Sequence, residues 1–305
     1  MISIQEKYIP FDTGRIYVKQ KTNRKNKSVA VFLPGSTLSP RNFWDCDLPE
    51  GGTLADRMVE GGVDVAMVDP IGYGSSQGEG PSYYHRVYFA DQLDRVYGDL
   101  RANYSSITTV GFCATTMPPL LSLTRGTADN AILLSPNLVF GNPKQFNEIQ
   151  SLYKAGHGPR KHLTALLKRF VTISDKRLGR SDKFFNWYHG QVRMISSYTS
   201  FDNLTETYQS PGSFIIDGVL FPAVMKKDGL EWERLKNKKI LIIDPEFEVE
   251  VSRERFAATL THLSSYADVD MKVLPGSTHF PMWESNRHTL LAYIIKFIDE
   301  RNSDV

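Results

Sequence analysis

Short apolar runs, each followed by a segment with helical periodicity, constrain the fold of this chain more than any other feature. The runs Ser28–Leu33, Val63–Val68 and Ile107–Phe112 are dominated by apolar residues, which is typical of strands buried on both faces. Strands that alternate with helices predict right-handed crossovers and a mostly parallel sheet covered by helices on both faces. Three later runs continue the pattern: Ala131–Leu134, Lys239–Ile243 and Val269–Leu274.

The alternation is interrupted between residues 136 and 236, where the patterns favour helices and turns and no buried strand is evident. This predicts an α/β core formed by residues 1–135 and 237–305, with a mainly helical cap inserted at 136–236. Residues 151–200 carry five Lys and five Arg against two Asp and no Glu, a net charge of +8. We expect that basic stretch either to steer an anionic or phosphate-bearing substrate or to be ordinary solvated surface.

Charge and composition exclude several classes of protein. The whole chain has a net charge of only +2, which is too small for a protein held on nucleic acid mainly by phosphate contacts. Its two cysteines, Cys46 and Cys113, exclude a disulfide-rich scaffold and a four-cysteine zinc site, and no cofactor or metal is expected. With no signal-peptide pattern and no membrane-length apolar run, we expect a cytoplasmic protein without a membrane span.

The segment Gly111–Thr115 places a cysteine where a buried strand turns into a helix. It has the G-x-S-x-G pattern of a nucleophile elbow, with cysteine in place of serine and Thr115 in place of the second glycine. Gly111 gives the backbone room to turn sharply, and the positive end of the following helix favours a thiolate at Cys113. In the alternative interpretation, Cys113 is a small buried apolar residue.

Two later strand ends supply a candidate base and a candidate acid. His279 follows the last predicted strand, at the edge where the catalytic groups of open parallel sheets collect. The loop after Lys239–Ile243 contains four carboxylates, of which Glu248 is best placed by position to orient an imidazole. The three competing acids, which we expect to be solvated loop charges, are Asp244, Glu246 and Glu250.

This chain order of nucleophile, acid and histidine, together with the strand pattern, resembles the α/β-hydrolase superfamily over nearly the whole chain. Pro34–Thr37 lies where that family has its His-Gly oxyanion loop, with proline in place of the histidine. Asp69–Ser76 is similar to the family's D-x-x-G-x-G-x-S turn, and His279–Glu284 is similar to its histidine loop. The resemblance implies an α/β-hydrolase fold with a helical cap, and an oxyanion hole formed by the backbone N–H groups of Ser36 and Ala114.

The cysteine at the elbow is the main departure from the family pattern. Dienelactone hydrolases, some thioesterase domains and polyhydroxyalkanoate synthases also have cysteine there, but none closely matches the residues around Cys113. The resemblance implies an acyl hydrolase that acts on an ester, lactone or thioester through a Cys-His-Glu triad and an acyl-thioester intermediate. Its substrate would be a small acyl compound, either free or carried on coenzyme A or an acyl-carrier protein. Two alternatives are an acyltransferase that passes the acyl group to an amine, alcohol or thiol, and a non-catalytic ligand-binding receptor.

Overall fold

The computed structural model describes nine stretches of the chain, and within them the protein forms a nine-stranded sheet with helices on both faces. Most of the predicted cap at 136–236 lies outside these stretches. Residues 231–236 of it are described, and they contain a 3₁₀ turn at Trp232–Leu235 whose Leu235 is buried in the core. The described residues are 1–12, 14–23, 25–34, 40–48, 50–71, 74–78, 86–136, 231–248 and 253–302.

Among the helices in the described stretches, none is both long and apolar enough to cross a membrane.

The strands and helices follow the alternation predicted from the sequence. The strands are β1 (Ser3–Phe11), β2 (Gly14–Thr22), β3 (Ser28–Phe32), β4 (Val63–Asp69), β5 (Gln77–Gly78), β6 (Ser106–Phe112), β7 (Asn130–Leu134), β8 (Lys239–Pro245) and β9 (Asp268–Leu274). The α-helices are α1 (Arg41–Trp44), α2 (Leu54–Glu60), α3 (Arg86–Leu100), α4 (Met117–Arg125), α5 (Arg253–Ser264) and α6 (Arg287–Asn302).

The sheet has the strand order β1-β2-β4-β3-β6-β7-β8-β9, and the short β5 pairs with β2. Strands β3, β4 and β6 to β9 are parallel to one another, whereas β1 and β5 run antiparallel to β2, and β2 runs antiparallel to β4. The expected mostly parallel sheet is therefore confirmed, and β1, β2 and β5 form an antiparallel edge.

The core has two layers because successive residues of a strand point to opposite faces of the sheet. From β3, Ala30 and Phe32 enter one buried cluster together with α1, α2 and α6, whereas Val29 and Val31 enter a second cluster with α3, α4 and α5. Each of these β3 side chains is fully buried. Helices on both sides explain why central strands such as β3 and β7 are buried and apolar at nearly every position, whereas the edge strand β9 alternates apolar with charged residues.

Two predicted helices begin later than the sequence pattern indicated. The helix expected from Ala114 starts as a 3₁₀ turn at Cys113–Thr116, and α4 begins only at Met117. Prolines at the start of α4 suit the first turn, where their missing N–H groups have no intrahelical partner. The closing helix, expected from Ser285, begins at Arg287 and is preceded by a 3₁₀ turn at Pro281–Trp283.

The parallel strands bring four chain segments to one edge of the sheet. The carboxyl ends of β3, β6, β8 and β9 lead into Pro34, Cys113, Glu248 and His279, respectively. These positions are far apart in sequence, and the shared strand direction places them at the same edge.

Candidate active site

The backbone at Cys113 has the sharp turn of a nucleophile elbow. Cys113 has φ of 53°, in the left-handed region that residues other than glycine rarely adopt. Two residues earlier, a Cβ added to Gly111 would lie 2.6 Å from the carbonyl oxygen of Thr115 and 2.8 Å from Cα of Thr116. The turn is so tight that only glycine fits two residues before Cys113.

Thr115, which replaces the second glycine of the pattern, ties the elbow to the end of β3. Its buried hydroxyl donates to the carbonyl oxygen of Pro34 at 2.6 Å and accepts from the backbone N–H of Phe112 at 3.2 Å. The departure from the sequence pattern thus has a structural role, because it joins the elbow to the strand that leads into residues 35–39.

Glu248 and His279 are in direct contact. Nδ1 of His279 lies 2.9 Å from Oε1 and 2.8 Å from Oε2 of Glu248, and both side chains are only 2% exposed. A buried carboxylate at this distance holds the imidazole in one orientation and stabilises its protonated form.

The environment of His279 changes its pKa strongly. Burial by itself lowers the pKa of the imidazole, because desolvation penalises the charged form. Interaction with Cys113, followed by the hydrogen bond and charge of Glu248, outweighs that effect. The pKa of His279 is therefore raised well above its ordinary value.

Aromatic rings surround the histidine. The His279 ring centroid lies 5.1 Å from that of Phe112 and 5.1 Å from that of Phe280. Phe280 in turn stacks on Trp283, with ring centroids 5.0 Å apart. The His279 and Glu248 side chains are each only 2% exposed, and this shielding from water strengthens the electrostatic interaction between them.

The competing acids and the predicted oxyanion-hole residues lie in several different places. Asp244 is buried at the end of β8, and exposed Glu246 accepts a hydrogen bond from the backbone N–H of Gly276 at 2.8 Å. The backbone of Ala114 belongs to the 3₁₀ turn directly after Cys113. Ser36 and Glu250 lie outside the described residues. The structure thus brings Glu248 and His279 together. Asp244 is instead buried within β8, and Glu246 is exposed and bonded to Gly276.

The turn after β4 is held by its aspartate. Asp69 is fully buried, and its Oδ2 accepts from the backbone N–H of Ser75 at 2.9 Å and from Nη2 of Arg41 at 2.8 Å. Gly74 has φ of 48°, and a Cβ there would lie 2.0 Å from the same carboxylate. These contacts give the D-x-x-G-x-G-x-S segment a structural role.

Glu284 is a residue whose contribution the sequence patterns did not predict. It is 1% exposed, and its carboxylate accepts hydrogen bonds from the two residues that precede His279. The only sequence feature that pointed to Glu284 was its position at the end of the segment His279–Glu284, which is similar to the family's histidine loop. Among the described residues, no group of three or more His, Cys, Asp or Glu side chains is arranged to hold a metal ion.

Solved structures with the same architecture provide the comparison with known proteins. No protein-family model matches the chain, and no curated protein matches it by sequence. A haloalkane dehalogenase, DatA from Agrobacterium tumefaciens C58, is similar with a TM-score of 0.65 and 14% identity, over 98% of this chain and 97% of that chain. The naproxen esterase of Bacillus subtilis has a TM-score of 0.61 and 18% identity, over 97% and 92%.

A thioesterase domain from the curacin biosynthetic pathway is also similar, with a TM-score of 0.58 and 15% identity over 96% of this chain and 99% of that chain. Identities this low establish the architecture and leave the reaction open. The sheet order, the elbow at the end of β6 and these structural matches together show that the chain has the α/β-hydrolase fold.

Proposed function

We propose that this protein is an acyl hydrolase that cleaves an ester, lactone or thioester, with Cys113 as nucleophile, His279 as base and acid, and Glu248 as the orienting carboxylate. One observation carries the proposal. Cys113 has the strained backbone of an elbow, and its interaction with His279 helps to raise the pKa of an imidazole whose Nδ1 faces Glu248. A receptor that only binds a ligand has no need of all three groups in this order of contacts.

In the first half-reaction, the sulfur of Cys113 attacks the acyl carbon. Because Nδ1 of His279 faces Glu248, Nε2 is the ring nitrogen available to hold the proton from the thiol. The carbonyl π electrons move onto oxygen to give a tetrahedral oxyanion. When they return, the bond to the leaving group breaks, His279 gives that group its proton, and an acyl thioester on Cys113 remains.

In the second half-reaction, His279 takes a proton from water as the water oxygen attacks the thioester carbon. The resulting tetrahedral oxyanion collapses with cleavage of the carbon–sulfur bond. The carboxylic acid leaves, and the proton on His279 restores the Cys113–His279 pair. Glu248 stays ionised throughout and stabilises the imidazolium that forms in each half-reaction.

Two backbone N–H groups, those of Ala114 and Ser36, are proposed to hold the oxyanion. Ala114 directly follows the nucleophile within the 3₁₀ turn. Ser36 lies two residues after Pro34 in the sequence, and the carbonyl oxygen of Pro34 accepts a hydrogen bond from the hydroxyl of Thr115 in the elbow. Preorganised donors of this kind stabilise charge as it develops on the carbonyl oxygen.

The esterase and the thioesterase domain among the similar structures support an acyl substrate. A dehalogenase is also among the similar structures, so the fold alone does not identify the reaction. The proposed chemistry therefore rests on the residues at the site. The +8 stretch at 151–200 lies outside the described residues and remains the sequence-based reason to include substrates carried on coenzyme A or an acyl-carrier protein.

Trapping the acyl-enzyme tests this proposal directly. A panel of acyl esters and acyl thioesters is mixed briefly with a Cys46→Ser protein, quenched in acid and analysed by intact-mass and peptide mass spectrometry. We expect an acyl mass increment on the peptide that contains Cys113, and none in a Cys113→Ala version. If Cys113→Ala hydrolyses the same substrates at the wild-type rate, the proposal is wrong.

The same substrates distinguish hydrolase from acyltransferase. Product analysis in the presence of an added amine, alcohol or thiol shows whether the acyl group goes to water or to the acceptor. Predominant transfer would replace hydrolysis with the acyltransferase alternative. Binding of an acyl compound without any adduct or turnover would support the receptor alternative.

A further inference from the structure

Glu284 is a buried acid whose carboxylate accepts hydrogen bonds from the two residues directly before the candidate base, His279. Both of its carboxylate oxygens accept from the backbone N–H of Thr278, at 3.0 and 2.9 Å. The hydroxyl of Ser277 donates to Oε2 at 2.5 Å, and the hydroxyl of Thr278 donates to Oε1. These donors belong to the two residues directly before His279.

A buried carboxylate is costly unless hydrogen bonds replace the water that it has lost. Glu284 is 1% exposed, and Ser277 and Thr278 are 0% and 5% exposed, so the whole set is shielded from solvent. The donors reach the carboxylate only when residues 277–278 adopt their observed conformation. That conformation also sets the path of the backbone into His279.

The same loop is bonded to the segment that carries Glu248. The carbonyl oxygen of Ser277 accepts from the backbone N–H of Phe247 at 2.8 Å. The backbone N–H of Glu246 donates to the carbonyl oxygen of Leu274 at 3.1 Å. A displacement of Ser277 would therefore move the residue next to Glu248 as well as the residues next to His279.

Glu284 is itself firmly anchored. It follows a 3₁₀ turn in which Met282 and Trp283 are buried in the core. Arg287, at the start of α6, donates from Nη1 to the carbonyl oxygen of Glu284 at 2.8 Å and pairs with Glu50 at 2.7 Å. The backbone of Glu284 is thus held by core packing and by Arg287, while its carboxylate binds Ser277 and Thr278.

We propose that Glu284 is a positioning residue that sets the relative placement of His279 and Glu248 by holding Ser277 and Thr278. This inference rests on the proposed function for its effect on turnover, but the positioning itself concerns the contact between Cys113, His279 and Glu248. It can therefore be measured without any substrate.

The test compares Glu284→Gln with Asp64→Asn, both in a Cys46→Ser background. Asp64 is a matched control because it is a buried acid, 2% exposed, at the start of β4 and thus at the opposite edge of the sheet. Its carboxylate accepts from the backbone N–H of Asn23 at 2.8 Å and from the hydroxyl of Tyr104 at 2.8 Å. Both variants replace an acceptor oxygen with an NH₂ group in a buried network, and both should lower the melting temperature.

Three readouts separate positioning from stability. They are the His279 pKa from an NMR titration of its imidazole, the rate of Cys113 carbamidomethylation by iodoacetamide at pH 7, and kcat and KM with p-nitrophenyl acetate. For Glu284→Gln we expect the raised pKa of His279 to fall towards its ordinary value. A fall of one unit is a tenfold change in the protonation equilibrium, so the alkylation rate should fall by up to about tenfold, and kcat should fall up to about 100-fold with KM nearly unchanged.

Asp64→Asn should leave all three readouts at their wild-type values. If Glu284→Gln does not fold, Ser277→Ala removes a single donor and should change the readouts in the same direction by a smaller amount. A wild-type His279 titration and alkylation rate in a folded Glu284→Gln or Ser277→Ala protein would overturn the inference. Absence of turnover in the wild-type enzyme would instead count against the proposed function, because the first two readouts need no substrate.

Discussion

Both carboxylate oxygens of Glu248 lie within 2.9 Å of Nδ1 of His279, and each side chain is 2% exposed. The two residues are 31 positions apart in the chain and meet because β8 and β9 are parallel neighbours that end at the same edge of the sheet. Cys113, which follows β6, also interacts with the imidazole and contributes to its raised pKa. Residues that follow three different strands therefore interact at one site.

Replacing Cys113 with alanine should abolish acyl turnover without unfolding the protein. The change removes the proposed nucleophile and only one heavy atom from a site that is 6% exposed. Steady-state kinetics and a thermal melt of the purified variant measure the two effects. Cys46→Ser is the control, and it should keep near wild-type turnover. A large loss of rate in Cys46→Ser would mean that the wrong thiol has been assigned.

Glu248→Gln should lower kcat strongly, by up to about 10⁴-fold, because a neutral amide cannot stabilise the imidazolium and can hold the wrong tautomer. Glu246→Gln should have little effect, since Glu246 is exposed and a glutamine oxygen can still accept from Gly276. Kinetics of the two variants on the same substrate provide the comparison. If Glu246→Gln or Asp244→Asn is the damaging change, the acid is another residue.

The raised pKa of His279 predicts a specific pH dependence of stability. A group whose pKa is higher in the folded than in the unfolded protein favours folding when it is protonated. Its contribution is complete below the ordinary value of 6.5 and is lost as pH rises through the raised value. The free energy of unfolding of wild type minus that of His279→Gln should therefore be largest in acid and decline towards alkaline pH. Urea titrations across a pH series measure it, and a difference that grows with pH would contradict the assignment.

Thr115→Val should destabilise the protein by about 1–3 kcal/mol, because it leaves the buried carbonyl oxygen of Pro34 without its donor. Thr115→Ser is the matched control, since it keeps the hydroxyl and should retain most of the stability. Denaturant unfolding of both variants tests this role. Equal stability in the valine and serine variants would show that the hydrogen bond to Pro34 contributes nothing.

Gly111→Ala should be destabilising by about 1–3 kcal/mol, since its Cβ would lie 2.6 Å from the Thr115 carbonyl oxygen. Gly98→Ala, inside α3, is the control because nothing lies within 4 Å of the added Cβ. That second change should stabilise by about 0.5–1 kcal/mol, because alanine loses less backbone entropy than glycine in a helix. Changes of the same sign in both variants would contradict the account of the elbow.

Local patterns in the sequence determined the elements and much of the sheet. A strand buried on both faces has a run of apolar residues whatever its neighbours are. Gly111, two residues before Cys113, likewise indicates a tight turn from the local sequence alone. For this reason the alternation, the mostly parallel sheet and the strand-end position of His279 were all visible in the chain itself. The pairing of β2 with β4 and with β5 was not, because these partners lie far from β2 in the sequence.

Position in the sequence favoured Glu248 among four neighbouring acids, and only the tertiary structure shows its contact with the imidazole. The sequence places Asp244, Glu246, Glu248 and Glu250 on one short stretch. The path of that stretch is set by its bonds to the β9 loop, such as the one from the Phe247 N–H to the Ser277 carbonyl oxygen. The contribution of Glu284 and the bond from Thr115 to Pro34 were hidden for the same reason. Each depends on hydrogen bonds between segments that only folding brings together, so no local spacing or periodicity encodes them.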